Sequence, residues 1–161
     1  PLGVDASTRI DALGLPPDRS LALETFSELD RRRVLMRQPA LGQALEAQAR
    51  QALGSDGVPV EVINDSPGFI CQRVVAGIVN LGCEIAQRGI ATPVTLDRAV
   101  QLALGYPFGP LAFGEHYGAA RILTILQGLQ ACYGEARYRP SPWLRRRVQL
   151  DLPLHSPDRA E

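Results

Sequence analysis

The sequence predicts a mainly α-helical protein preceded by a small α/β segment. Strand-like runs are short and confined to about the first 65 residues, a long and almost wholly apolar helical pattern follows, and glycine and proline divide the rest into further helices. With 161 residues, of which 45% are hydrophobic and 21% charged, the chain is long enough to bury a core without a metal or a disulfide.

The first part of the chain predicts a few strands and one helix. The helix is expected at residues 39–53, because leucine or alanine recurs at every fourth position from Leu41 to Leu53. These elements are too few for a complete doubly wound domain. The chain also contains no GxGxxG loop, so this segment cannot hold a pyrophosphate on a helix N-terminus in the usual way. The strands are expected at residues 2–6, 20–26, 33–36 and 58–63.

A long helix is predicted over residues 67–88. Asp65 lies just before Pro67, which is the usual order of a capping side chain and a first-turn proline. Apolar residues cover most of the circumference, which is typical of a helix inside a bundle or in a subunit interface. Gly77 and Gly82 would allow another helix to approach closely, although each lowers helix propensity.

The remaining helices are separated by glycine and proline. Thr95 is the expected cap of the first of them, and the predicted ranges are residues 96–104, 111–116, 119–133 and 143–150. The chain is therefore expected to contain three parts, an α/β segment at 1–63, a helical domain at 64–152 and a loose tail at 153–161.

The overall composition excludes several classes of protein. The formal net charge is zero, which argues against nucleic acid as a partner, and no apolar run is long enough to span a membrane. All 17 basic residues are arginine, so a lysine Schiff base is excluded. The three cysteines suggest a reducing cytoplasm and are expected to be buried thiols. Cys71 and Cys83 would lie about 18 Å apart on one helix, too far for a disulfide.

No catalytic set is recognisable from residue chemistry alone. His116 and His155 lie far apart in sequence, and neither has an evident orienting carboxylate, so both are interpreted as structural. The polar turn formed by Asp5, Ser7 and Thr8 is of a common kind. The sequence contains no HExxH, CxxC or dense carboxylate cluster, and we therefore expect no metal site.

Two motifs resemble those of one enzyme family. Residues 64–73, Asn-Asp-Ser-Pro-Gly-Phe-Ile-Cys-Gln-Arg, resemble the junction motif D-[TS]-P-G-F-[IV]-x-N-R of 3-hydroxyacyl-CoA dehydrogenases. Downstream, residues 105–110 resemble that family's GYPxGP motif. The resemblance extends over about residues 60–150 and implies the helical C-terminal domain of this family, preceded by a remnant of its Rossmann-like domain. The positions carried over as structural are Pro67, Gly68, Phe69, Gly105, Tyr106, Pro107, Gly109 and Pro110.

The same resemblance places altered residues at the family's substrate positions. Glu24 stands where a strand of the family carries the catalytic histidine, and a carboxylate cannot replace a neutral imidazole as a base near neutral pH. The glutamate that pairs with this histidine would fall near Val34. Ser7 matches a serine that contacts the substrate, whereas Gln72 replaces the motif's asparagine. These changes resemble the degenerate second copy of some fused bacterial 3-hydroxybutyryl-CoA or 3-hydroxyadipyl-CoA dehydrogenases.

The resemblance implies a parent enzyme that oxidises a 3-hydroxyacyl-CoA to the 3-ketoacyl-CoA with NAD, in fatty acid or aromatic acid catabolism. This chain would bind no cofactor itself and would serve dimerisation, or docking to the catalytic domains, and enclosure of the acyl-CoA. The expected surface is an apolar helix face with Val74, Ile78 and Leu81. Two alternatives remain open. Glu24, Ser7 and Gln72 could form a rebuilt acyl-thioester site, or the chain could be an acyl-CoA-binding pseudoenzyme.

Overall fold

The computed structural model describes residues 1–158, which fall into two compact units. The first unit is Pro1–Cys71 and the second begins at Gln72. About 54% of the described residues are helical, in seven α-helices and two short 3-10 helices beside a three-stranded sheet, which confirms the predicted class. The first unit ends at residue 71 and not at the predicted residue 63, because Phe69 belongs to its hydrophobic core.

The first unit is built on a βαβ arrangement. Strand β1 (Ala22–Leu23) pairs antiparallel with the central strand β2 (Arg33–Arg37), and β2 pairs in parallel with β3 (Val60–Asn64). Helix α2 (Gln43–Leu53) makes the crossover that two parallel strands require. The sheet is therefore a fragment of the α/β kind that the sequence predicts.

The expected strand at residues 2–6 is wrong, because helix α1 (Ala6–Ala12) begins where that strand would end. Asp5 is its N-cap and accepts a hydrogen bond from the Thr8 N–H. One face of α1 is buried and the other is solvated, as in an amphipathic helix. The buried face joins a small core made of Ala6, Ile10, Ala22, Met36 and Phe69, with Val34 and Ile63 packed against it.

Helix α3 (Cys71–Gln87) begins later than the prediction at residue 67. Gly68 and Phe69 both have a positive φ, +73° and +49°, so the backbone turns before the helix can start. The prediction that Asp65 caps α3 is also wrong, since its carboxylate accepts the Ala6 and Ser7 N–H groups at the start of α1. Asp65 does bind N–H groups at the start of a helix, but that helix is α1, about 60 residues away in sequence.

The second unit continues with four helices, α4 (Pro93–Leu104), α5 (Pro110–Tyr117), α6 (Ala119–Tyr133) and α7 (Pro142–Leu150). Helix α6 coincides with its prediction, whereas α4 begins three residues early because Thr92, and not Thr95, is its cap. The unit's core is mainly aliphatic, and its fully buried large aliphatic side chains are Leu111, Ile122, Ile125, Leu126, Leu129, Leu144 and Leu154.

The expectation of a loose tail at 153–161 is wrong for its described part, residues 153–158. Leu154 is fully buried, its carbonyl accepts a hydrogen bond of 2.9 Å from the Trp143 indole N–H, and its own N–H donates to Glu115. The Arg147 guanidinium also donates to the Ser156 carbonyl. This segment is therefore part of the fold, and residues 159–161 lie outside the described chain.

Candidate functional site

Ser7 lies in the first turn of α1 and is bound to Asp65. Its hydroxyl and its backbone N–H both donate to the Asp65 carboxylate, which also accepts the Ala6 N–H at 2.6 Å. Asp5 adds a second carboxylate at the same helix end. The positive end of α1 is thus already occupied by two acidic side chains. The Ser7 hydroxyl thus joins α1 to the segment that follows β3.

Glu24 follows β1 directly and is 2% exposed. Its side-chain Oε1 accepts the Phe26 N–H at 2.9 Å, and its own N–H donates to the Val34 carbonyl at 2.9 Å. Glu24 and Val34 are therefore neighbours in the sheet, as the resemblance implies for the catalytic pair. Because the second member is an apolar valine, this pair cannot perform the acid–base chemistry of a histidine and a glutamate.

Gln72 and Cys71 lie in the first turn of α3. Gln72 is 1% exposed, so the amide that replaces the motif's asparagine is buried. Burial and, secondarily, the charge of Glu24 raise the pKa of the Cys71 thiol. A raised pKa keeps the thiol protonated near neutral pH, which makes Cys71 a poor nucleophile.

The cysteines differ from the prediction of three buried thiols. Cys83 is buried, but Cys71 is half-buried and Cys132 is exposed, and all three are free. Burial raises the pKa of Cys83 to about 12. Cys83 therefore behaves as a small hydrophobic side chain, whereas the position of Cys132 on an exposed part of α6 was not foreseen.

The junction motif around Pro67 forms a tight turn. The Phe69 N–H donates to the Ser66 carbonyl at 3.2 Å, and the Gly68 N–H donates to the Val4 carbonyl at 3.3 Å. Gly68 tolerates its positive φ without cost, but a phenylalanine in this region is strained. Phe69 is 1% exposed, so burial of its ring holds the turn in place.

The second motif, residues 105–110, connects α4 to α5 and is organised by Asp97. The Asp97 carboxylate accepts the Leu111 and Ala112 N–H groups at 2.8 and 2.9 Å, which caps α5 from the side. Gly109 packs directly on Asp97, where a Cβ atom would approach its Cα atom to 2.3 Å. The motif therefore holds two helices at close range. Its aromatic members also pack by their rings, Tyr106 on Phe113 and Phe108 on His116.

The two histidines have structural surroundings. His116 is exposed on α5 and stacks on Phe108, with ring centroids 4.8 Å apart. His155 was expected in a loose tail, but its Nε2 atom lies 2.8 Å from an Asp97 oxygen. His155 thus has the carboxylate partner that sequence reasoning missed, because the partner is 58 positions away. That carboxylate also caps α5, so the pair belongs to the architecture of the second unit.

One face of α3 remains uncovered within the second unit. Val74 and Leu81 are 55% and 63% exposed, and Ile78 and Ile85 are half-buried beside them. Together with Gly77 and residues 136–139 they line an open groove of about 730 Å³, called here the α3 groove. The sequence named Val74, Ile78 and Leu81 as an interface surface, but it predicted a helix buried on most sides.

The N-terminus of α1 is not a free anion site, because its first N–H groups are already bound by carboxylates. The Asp65 carboxylate accepts the Ala6 and Ser7 N–H groups, the Asp5 carboxylate accepts the Thr8 N–H, and both would repel a phosphate. Among residues 1–158, no three His, Cys, Asp or Glu side chains are grouped so that they could hold a metal ion. Nor does any helix within this range combine the length and apolar character needed to cross a membrane.

The sequence matches a known family and known proteins. Residues 68–155 match the model of the 3-hydroxyacyl-CoA dehydrogenase C-terminal domain. A 3-hydroxyadipyl-CoA dehydrogenase from Escherichia coli (strain K12) is 43% identical over 99 residues, covering 62% of this chain and 21% of that protein. A probable 3-hydroxybutyryl-CoA dehydrogenase from Deinococcus radiodurans is 35% identical over 89 residues, covering 55% of this chain and 32% of that protein.

A solved structure extends the similarity to both units. The crystal structure of 3-hydroxybutyryl-CoA dehydrogenase from Escherichia coli K12 superimposes with a TM-score of 0.81 at 32% identity, covering 92% of this chain and 30% of that one. The matched parts thus make up between about a fifth and a third of these relatives. The α/β unit is included in the structural match, although the family model begins only at residue 68.

Proposed function

Since the chain belongs to the 3-hydroxyacyl-CoA dehydrogenase family through its C-terminal domain, we propose that it serves assembly and substrate enclosure in an NAD-dependent dehydrogenase and is not catalytic by itself. The parent enzyme would oxidise a 3-hydroxyacyl-CoA to the 3-ketoacyl-CoA. Its nucleotide and its reacting groups would be supplied by catalytic domains outside this chain. Three free cysteines support a reducing, cytoplasmic location.

The observation that carries this proposal is the state of Glu24. It stands where the family's histidine is expected, is 2% exposed, and uses an oxygen to bind the Phe26 N–H. The missing GxGxxG loop supports the same conclusion for the nucleotide. The α/β unit then serves as a scaffold that retains the fold of a catalytic domain without its reacting groups.

The α3 groove supports the assembly role. An exposed apolar strip on a long helix is typical of a binding surface for another protein. Without a partner, about four aliphatic side chains would remain in contact with water, which is unfavourable. We propose that this face packs in a homodimer or against the catalytic domains of the parent enzyme. Enclosure of the acyl-CoA would follow from holding the helical unit next to the domain that binds the substrate.

Calorimetric titration of the chain with NADH and, separately, with acetoacetyl-CoA tests the proposal. We expect no heat of binding with NADH. We also expect no oxidation of NADH when NADH and acetoacetyl-CoA are present together. The variant Glu24→His is the matched control, and it should remain inactive because a histidine alone restores no nucleotide site. NADH oxidation by the unmodified chain would overturn the proposal. Tight binding of acetoacetyl-CoA without NADH would favour the acyl-CoA-binding pseudoenzyme instead.

A further inference from the structure

Residues 153–158, called here the strap, cover part of the core of the second unit. Leu154 is the one strap residue that is buried, and it enters a gap that Gly114 leaves open. A Cβ atom at Gly114 would lie 2.3 Å from the Leu154 Cδ1 atom and 2.9 Å from the Val79 Cγ1 atom. The strap is therefore held in the core by a single apolar side chain, for which the absence of a side chain at Gly114 provides the space.

Hydrogen bonds hold the main chain of the strap on both sides of this side chain. The Trp143 indole N–H donates to the Leu154 carbonyl at 2.9 Å, and the Glu115 carboxylate accepts the Leu154 N–H. The Arg147 guanidinium donates to the Ser156 carbonyl, with 3.2 Å from its Nε atom. Arg147 is 3% exposed, so water competes little for this contact. The groove thus binds the strap largely through the strap's backbone.

Two side chains of the strap add polar contacts with charged groups. The His155 Nε2 atom lies 2.8 Å from an Asp97 oxygen, and Asp158 accepts a hydrogen bond of 3.2 Å from Arg147. None of the strap's contacts requires that the strap belong to the same chain. The strap of a second copy would fit the same gap and meet the same partners.

The residue that joins α7 to the strap is strained. Asp151 has φ +53° and ψ +44°, a left-handed conformation in which aspartate is less favourable than glycine. The Leu152 N–H donates to the Arg147 carbonyl at 2.8 Å, which is the usual end of a helix, but the position that favours glycine carries an aspartate. Unlike Phe69, which also has a positive φ, Asp151 is exposed, so no buried side chain of its own holds the turn. Straightening at this residue would release the strain.

Two exposed leucines flank the strained residue. Leu150 is 65% exposed and Leu152 is 46% exposed, so the single chain leaves much of both side chains in water. If Asp151 is extended, the strap leaves its own unit and the two hinges of a pair of chains can run side by side. The leucines of one hinge would then pack on those of the other, which buries apolar surface that the single chain exposes.

We propose that two copies of this chain exchange their straps, so that Leu154 and His155 of each copy complete the second unit of the other. The inference goes beyond the proposed function and does not depend on it, because it concerns a surface other than the α3 groove. The exchange keeps the strap contacts of the single chain, releases the strain at Asp151 and covers Leu150 and Leu152. A short connection gives the strap an effective concentration on the order of 1 mM in its own chain, so we expect exchanged dimers at chain concentrations of about 0.1 mM and above.

Analytical ultracentrifugation of the full chain with a matched pair of hinge variants tests this proposal. Asp151→Gly removes the cost of the left-handed turn and should shift the chain towards the monomer. Asp151→Val should shift it towards the dimer, because a β-branched residue strongly disfavours a positive φ. We expect the association constants of the two variants to differ at least about tenfold. Residue 151 is exposed, so neither substitution alters the core.

Further measurements show whether the strap holds the dimer together. A synthetic peptide of residues 151–158, added at about 1 mM, should dissociate the dimer by filling both gaps, and the same peptide with glutamate in place of Leu154 is its control. Leu154→Glu in the full chain should also abolish the dimer, because a charge would enter an apolar gap. Leu81→Asp, which alters the α3 groove, should dimerise as the unmodified chain does. Circular dichroism confirms that each variant is folded.

The proposal is overturned if the chain and Asp151→Val both remain monomeric up to about 1 mM, or if the two hinge variants associate equally. It is also overturned by a dimer that Leu81→Asp dissociates and the strap peptide does not, because the contact then lies in the α3 groove. Failure of this inference is distinguishable from failure of the proposed function. The first concerns only the state of association, whereas the second appears as NADH turnover by the unmodified chain.

Discussion

Asp97 and His155 form the contact that closes the second unit, with Nε2 of the imidazole 2.8 Å from the carboxylate. The same carboxylate accepts two backbone N–H groups at the start of α5. One buried side chain thus joins α4, α5 and the segment after α7. Glu115 lies 4.0 Å from the other ring nitrogen, so the imidazole sits between two carboxylates.

Replacing Asp97 by alanine should lower the free energy of unfolding by about 3 kcal/mol, because one buried and one partly buried N–H group lose a charged acceptor. Urea denaturation measures the change. The matched comparison is His155→Gln, which removes only the third contact from a side chain that is 33% exposed, and a loss of about 1 kcal/mol or less is expected. Equal losses for both variants would show that the helix cap is not the main role of Asp97.

Gly114 should tolerate no side chain while Leu154 is in place. A Cβ atom at Gly114 would lie 2.3 Å from the Leu154 Cδ1 atom, so Gly114→Ala must displace Leu154 or α5. We expect a loss of about 2 kcal/mol. The double variant with Leu154→Ala should be less destabilised than the sum of the single variants, since the smaller side chain relieves the overlap. Strict additivity in urea denaturation would contradict the contact.

Gly77, unlike Gly114, has space for a side chain. Gly77→Ala should stabilise the chain by about 1 kcal/mol in urea, because alanine favours a helix and nothing lies within 4 Å of the new methyl group. Loss of stability on this change would indicate that Gly77 is needed within the unit itself.

Asp56 should titrate far below an ordinary carboxyl group. The Arg33 guanidinium binds it through two hydrogen bonds and is the main cause that lowers the pKa of Asp56 to about 2. The folded-state pKa lies below the unfolded one, so this pair stabilises the fold above the unfolded pKa and the contribution is lost as pH falls towards about 2. NMR titration checks the value, and Arg33→Gln should return the Asp56 pKa towards its ordinary range.

The thiols should react in the order of their exposure. Cys132 is exposed and should be labelled rapidly by a thiol reagent, whereas Cys83, whose pKa is raised to about 12 by burial, should react only after unfolding. Cys71 should react at an intermediate rate. Mass spectrometry of the labelled peptides over time measures all three. Rapid labelling of Cys83 in the native protein would show that the core around α3 opens readily.

Much of the local structure was readable from the sequence. Helix α6 was predicted at its observed bounds, and β2 and β3 within about two residues, because apolar periodicity and turn residues act over short distances. The residues of the α3 groove were likewise visible as an apolar helix face at 74, 78 and 81. The exposure of that face could not be predicted from the sequence, because periodicity shows which residues are apolar but not what covers them.

By itself, the sequence determined the helical class of the second unit and the family motifs at residues 64–73 and 105–110. Only the tertiary structure decided which helix Asp65 caps, where His155 lies and which part of α3 stays open. The physical reason is the range of the interactions. Helix periodicity is encoded within a few neighbouring residues, whereas a carboxylate finds its N–H partners, and an apolar face its cover, only after distant segments have packed.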